Sequence, residues 1–146
     1  MNVKERIVPV GRLDMDTSGA LILSNDGDFI FQVTHPKHEI NKTYVAKING
    51  KINKEQIETL KNGVKIDDYI TRPAQVKLLE CNQDSSTLEI VIHEGKNRQI
   101  RKMIEAIGKK TLALERTKIG ELKINDLKTG QWRYLKIQEV DKLINK

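Results

Sequence analysis

Apolar positions along the chain change their period several times, and each change marks a new element. Residues 20–23, Ala-Leu-Ile-Leu, are an unbroken apolar run closed by Asn25-Asp26-Gly27, the pattern of a buried strand followed by a turn. Residues 28–34 predict a short helix that stops before Pro36, because the residue preceding a proline disfavours helical backbone. Residues 42–49 alternate as a strand, and residues 54–61 fit a helix ending at Gly63. Two runs rich in β-branched residues, 74–79 and 87–93, flank Asn82-Gln83-Asp84-Ser85-Ser86 and predict a hairpin. Residues 97–107 carry the clearest helical signal: Ile100, Met103, Ile104 and Ile107 make one apolar stripe, with Gly108 as the stop. Arg98 and Lys102 point away from that stripe, and Arg101 sits at its border. Residues 111–117 and 132–137 predict two further strands, separated by Thr129-Gly130.

Strands joined by hairpins, with a few helices between them, predict an α+β domain on a largely antiparallel mixed sheet. The order of elements does not fit a regular βαβ winding. No repeat, linker or low-complexity tract divides the sequence, so residues 1–146 read as one domain.

Composition narrows the class. Hydrophobic residues are 38% of the chain and charged ones 32%, the balance of a globular protein and not of a disordered tail. No apolar run approaches the roughly 18 to 20 residues that span a bilayer, and the first ten residues lack the apolar stretch of a secretory signal. Cys81 is the sole cysteine, which excludes an internal disulfide and a multi-cysteine zinc site. The expectation is a cytoplasmic protein. The formal net charge is +6, and between Lys96 and Lys110 six basic residues meet a single acid, Glu105. Such a run is ordinarily a solvated helix face; its density on one short element favours a face turned toward phosphates.

The densest polar segment is Gly11-Arg12-Leu13-Asp14-Met15-Asp16-Thr17-Ser18-Gly19. Asp14, Asp16, Ser18 and Gly19 match the start of a calcium loop, but its twelfth position holds Asn25 where a bidentate glutamate is needed, and the flanks read as strands. Calcium binding is rejected; on composition alone, Asp14 or Asp16 capping local amides is the simplest account. His35-Pro36-Lys37-His38 has two histidines without further ligands nearby, so it reads as a surface loop and not as a metal site. His93 alternates with apolar residues as a structural polar group, and Cys81 reads as a packed thiol. There is no phosphate-cradling glycine loop, nucleophile elbow or dinucleotide fingerprint, which leaves nucleotide cofactors without support. Tyr44 beside Lys42 fits either a sheet surface or a ring that stacks on a base. Glu94-Gly95-Lys96-Asn97-Arg98-Gln99-Ile100-Arg101 leads into the basic helix, where backbone amides and cations suit a phosphate.

Together these segments match a known pattern. Residues 10–27, VGRLDMDTSGALILSNDG, resemble the catalytic-aspartate motif of the RsuA family of rRNA pseudouridine synthases. Lys42-Thr43-Tyr44 resembles that family's second motif, and the segment from Glu94 to Met103 its third; Leu114-Glu115-Arg116 and Ile119-Gly120 continue the likeness. The order and spacing agree over nearly the whole chain. The resemblance implies a pseudouridine synthase-like fold and conversion of an rRNA uridine to pseudouridine without a cofactor. It places the essential aspartate at Asp14, which acts by attack on the ribose, by addition to the base or through elimination. It implies that Arg101 keeps that carboxylate ionised and oriented, and that Tyr44 stacks on the uracil and helps move a proton. The target nucleotide would be flipped into the pocket. Arg12, Lys42, Lys96, Asn97, Arg98, Gln99 and Lys102 are the residues expected to hold the RNA, by contacts that position without specifying.

Members of that family carry a small N-terminal RNA-binding domain and a lead-in before the aspartate motif, whereas Asp14 stands almost at the start of this sequence. The expectation is therefore a catalytic domain shortened at its N-terminus, with a sheet edge exposed to self-pairing. The competing reading is an RNA-binding module on the same fold that has lost turnover. A basic domain with no RNA role is the least specific alternative.

Overall fold

The computed structural model describes residues 4–124 and 126–144. The chain opens with three short strands, β1 (Val8–Val10), β2 (Ser18–Gly19) and β3 (Ile22–Ser24), then helix α1 (Gly27–Thr34) and a 3-10 turn at Pro36–His38. Strand β4 (Lys42–Asn49), helix α2 (Lys54–Asn62) and the small pair β5 (Lys65–Ile66) and β6 (Tyr69–Ile70) follow. Next come the hairpin β7 (Gln75–Cys81) and β8 (Ser85–Ile92), helix α3 (Gln99–Ala106), strands β9 (Thr111–Ile119) and β10 (Leu122–Lys123), and helix α4 (Ile137–Ile144).

The main sheet runs β10-β9-β4-β8-β7, antiparallel throughout, and β2 joins β9 in parallel, so the sheet is mixed, as the sequence predicts. β8 shows why it is a strand: Ser86, Leu88, Ile90 and Ile92 turn inward and their neighbours outward. The helices obey their caps. Asp26 accepts from the amides of Asp28 and Phe29 to start α1, and the chain turns extended at His35, before Pro36. Asn53 and Gln56 form a reciprocal capping box on α2, which ends at Gly63 with φ 113°.

Two apolar clusters hold the fold. Ala46, Ile48, Leu88 and Ile90 from the sheet pack with Leu60 of α2 and Ile100, Met103 and Ile104 of α3 in the larger one. The smaller joins Val10, Ile22, Phe29, Val33, Ile40, Ile119 and Leu143.

Two expectations are corrected. The run 20–23 is not one strand: Ser18–Gly19 pairs with β9 and Ile22–Ser24 with β1, because at Ala20 and Leu21 the chain crosses from the main sheet to the separate β1–β3 pair. Residues 132–137 do not form a strand. Their alternation is local, no sheet edge pairs with them, and Glu139 captures the segment instead. It accepts from the Lys136 amide and from both terminal nitrogens of Arg133, which starts α4 at Ile137. Trp132 and Tyr134 remain exposed, their rings edge to face at 5.3 Å.

Candidate active site

The loop between β1 and β2 carries Asp14. It is closed by the Thr17 amide donating to the Asp14 carbonyl at 3.0 Å, and it lies flat on β9 because Gly19 has no side chain: a Cβ there would stand 2.1 Å from the Arg116 carbonyl oxygen. Arg116 itself is buried, its guanidinium donating to the Ala20 carbonyl at 2.9 Å and the Arg12 carbonyl at 3.1 Å.

Tyr44 enters from β4. The register against β9 jumps between Thr43, opposite Lys118, and Tyr44, opposite Arg116, so Thr117 is left over as a bulge. Such bulges bend a strand and re-aim its side chains. Tyr44 is half-buried, packed against the larger core cluster.

The third wall is the turn into α3, organised by Glu94. One carboxylate oxygen accepts from the Arg72 amide at 2.8 Å and from Gln99 Nε2 at 2.9 Å, and the other from the Tyr69 hydroxyl. That bond raises the Tyr69 hydroxyl above its ordinary range. Gln99 also accepts from the Lys96 amide at 3.1 Å, and Lys96 Nζ stands 4.3 Å over the Tyr69 ring.

These three segments surround one cleft of 640 Å3 that draws lining residues from both apolar clusters. Asp14, Tyr44 and Arg101 all face it, and so do Arg12, Lys42, Lys96, Asn97, Arg98 and Gln99. Gln99 is 4% exposed and its amide is spent on the turn, which makes it a brace for Lys96 and Glu94. Lys102 is not brought to the cleft: its Nζ meets Asp67 at 2.6 Å. Of the cations in the basic run, Arg98, Arg101 and Lys102 therefore hold carboxylates and Lys96 a ring, so the run does not form a single solvated face.

The partner of Arg101 differs from the expectation. Its guanidinium meets Asp16 and not Asp14: Nη2 donates to the Asp16 carbonyl, and Nε stands 3.4 Å from the Asp16 carboxylate, off the hydrogen-bond direction. Arg98 forks onto the same carboxylate. The hydrogen bonds from Arg98, aided by the charges of Arg101 and Arg98, hold Asp16 below the usual carboxylate range despite some desolvation. Tyr69 and Arg72 were not singled out in the sequence, and Asp16, Glu94 and Arg116 were named there without the contacts they make. Asp16 was read as a local amide cap and Arg116 only as a motif member, since pairing across the fold leaves no local periodicity.

The two histidines of the loop after α1 stack with Phe31, the ring centres of His35 and His38 lying 6.0 Å apart, and His35 borders the cleft. His93 also lines the cleft. Among the described residues no group of three or more His, Cys, Asp or Glu is placed to hold a metal ion, and no helix is long and apolar enough to cross a membrane.

The sequence model of the RNA pseudouridylate synthase family matches residues 2–106, a stretch that contains Asp14, Tyr44 and Arg101. The chain belongs to this family. It is 45% identical over 144 residues to the ribosomal large subunit pseudouridine synthase B of Bacillus subtilis (strain 168), an alignment covering 97% of this chain and 59% of that protein. It is 36% identical over 134 residues to the ribosomal small subunit pseudouridine synthase A of Vibrio vulnificus (strain CMCP6), covering 90% of this chain and 57% of the relative. A crystal structure of a pseudouridylate synthase superposes with a TM-score of 0.88 at 30% identity, over 94% of this chain and 60% of that one. The chain thus spans well short of the full length of each. The family membership and the α+β reading agree, and the cleft gathers the three segments whose likeness to the pseudouridine synthases was legible in the sequence.

Proposed function

We propose that this chain isomerises a specific uridine of ribosomal RNA to pseudouridine, with Asp14 as the essential carboxylate. In that reaction the bond from N1 of uracil to the ribose breaks, the base turns, and a bond from C5 to the same ribose carbon forms. The C5 proton leaves to solvent and N1 takes one up, so substrate and product have one composition. The observation that carries the reading is the meeting of Asp14, Tyr44 and Arg101 in one cleft, from three segments far apart in sequence.

Its 640 Å3 falls within the roughly 300–1,000 Å3 of pockets that enclose small ligands, which suits a flipped nucleotide. The Tyr44 ring, backed by the core, offers a face to the uracil. Arg12, Lys42, Lys96, Asn97 and Arg98 line the cleft, and all of these but Arg98, which is forked onto Asp16, supply cations and donors for the RNA backbone. Lys102, committed to Asp67, is left out of that set.

The test is tritium release from rRNA labelled at C5 of uracil, with the chain and its Asp14→Asn variant side by side. Release by the first alone supports the reading. Equal release by both removes Asp14 from its role. No release by either, with RNA still retained in a salt-dependent manner, leaves an RNA-binding module.

A further inference from the structure

We propose that Arg116 is the positioning residue for Asp14, the group that sets where the carboxylate stands in the cleft. The proposal rests on the reading of Asp14 as the essential carboxylate. Arg116 lies on β9, outside residues 2–106 that the family match covers, and directly opposite Tyr44 in the β4–β9 register.

Its two carbonyl partners bracket the loop that carries Asp14. Nη1 donates to Arg12 O at 3.1 Å, just before the aspartate, and Nε donates to Ala20 O at 2.9 Å, just after the loop returns to the sheet. The backbone repeats the grip: the Ala20 amide donates to Arg116 O at 2.8 Å, and Ser18 and Gly19 pair in parallel with Glu115 and Arg116. One planar guanidinium thereby ties both ends of the loop to the strand that faces Tyr44.

Stability alone is a poor reason for this residue. Arg116 is 4% exposed, and no ion pair among the described residues includes it. Its Nη2 is buried with no hydrogen-bond partner among them. Arg116 stands on the wall of the cleft and in neither apolar cluster, and there a buried cation without a counter-charge, with a donor unused, costs stability. What the fork supplies is geometry, and a reacting group displaced by about 1 Å is enough to lose on the order of 100-fold in rate.

The experiment compares Arg116→Lys and Arg116→Gln with the unaltered chain. Lysine keeps the charge, but its ammonium cannot reproduce the planar fork onto two carbonyls. For both variants we expect kcat for tritium release to fall on the order of 100-fold, while the Kd for rRNA and the circular-dichroism spectrum stay unchanged. Amide exchange at Thr17 and Ala20 should accelerate, with β7 and β8 keeping their protection. A folded Arg116→Lys variant with undiminished kcat overturns the proposal, as does a parallel loss of RNA affinity. If neither variant folds, Arg116 is a scaffold residue and the proposal is equally overturned. If the unaltered chain releases no tritium, it is the reading of Asp14 that fails. The exchange data then decide alone, and unchanged protection at Thr17 and Ala20 in Arg116→Lys sinks the positioning role.

Discussion

The carboxylate of Asp16 receives both terminal nitrogens of Arg98, at 3.0 and 2.8 Å, and so bolts the loop after β1 to the start of α3. Arg98 reaches it from a left-handed backbone conformation, φ 51°, at a helix start that has no side-chain cap. The fork is bidentate, the strong form of a guanidinium–carboxylate contact. Arg101 touches the same residue through its carbonyl. The loop carrying the proposed carboxylate and the helix carrying Arg101 are thereby tied together at two points.

Removing that bolt should change how the protein meets RNA. In Asp16→Asn, Arg98 loses its counter-charge and becomes available to a phosphate. Each phosphate neutralised steepens the fall of log Kobs with log salt by a little under one unit. The expected result is a slope steeper by about one than that of the unaltered chain, measured by filter binding across a salt series. Identical slopes would show that Arg98 does not take up a phosphate.

Arg101 and Lys102 are neighbours in sequence with different surroundings, and their substitutions should separate. The Arg101 side chain is 12% exposed and faces the cleft, whereas Lys102 reaches Asp67 outside it. Arg101→Ala removes a donor that holds the Asp14 loop through the Asp16 carbonyl and should lower kcat about 100-fold, the scale of displacing a reacting group by about 1 Å. Lys102→Ala removes a partly exposed surface pair and should leave kcat within about twofold, since such pairs contribute little. Steady-state tritium release from the two variants measures this, and equal losses would count against the role given to Arg101.

What was legible in the sequence follows from which forces are local. α1, α2 and α3 were readable because Pro36, Gly63 and the Ile100/Met103/Ile104 stripe act within a turn or two of helix. β4, β7, β8 and β9 were readable because burial of one sheet face imposes alternation. β1, β2 and the β5–β6 pair were missed: they are two or three residues long and exist through their partners. α4 was not read at all: it is eight residues long, and its apolar stripe, Val140 with Leu143 and Ile144, spans little more than one turn. At the site, Asp14, Tyr44 and Arg101 were found by motif, but the contact of Arg101 with Asp16 was not, since it joins residues brought together only by the sheet.

Glu94 should prove a stability residue as much as a member of the cleft. Its carboxylate satisfies the Arg72 amide, the Gln99 side chain and the Tyr69 hydroxyl together. Glu94→Ala leaves those donors without their acceptor, and one buried donor left unmade costs about 1–3 kcal/mol. With the others reaching water in part, a loss of about 2 kcal/mol is expected, seen as a lower urea midpoint with an unchanged m-value and a Tm lower by about 5 °C. A variant as stable as the parent would mean that water replaces all three contacts without cost.

Glu139 is drawn down from 4.5 to about 2, first by the hydrogen bonds from Arg133 and then by the Lys136 amide, against a smaller desolvation effect. A carboxyl whose folded value lies below its unfolded one favours the folded state fully above the unfolded value. That contribution is lost as pH falls through the folded value, so the window runs from 4.5 down to about 2. What is at stake is the start of α4, whose Leu143 is 3% exposed in the smaller core cluster. Glu139→Gln should therefore melt a few degrees below the parent near neutrality, and the gap should close as pH descends through that window. Circular-dichroism melts of both proteins along a pH series measure it. A gap of constant size at all pH values would mean that shape, and not the charge on Glu139, anchors the helix.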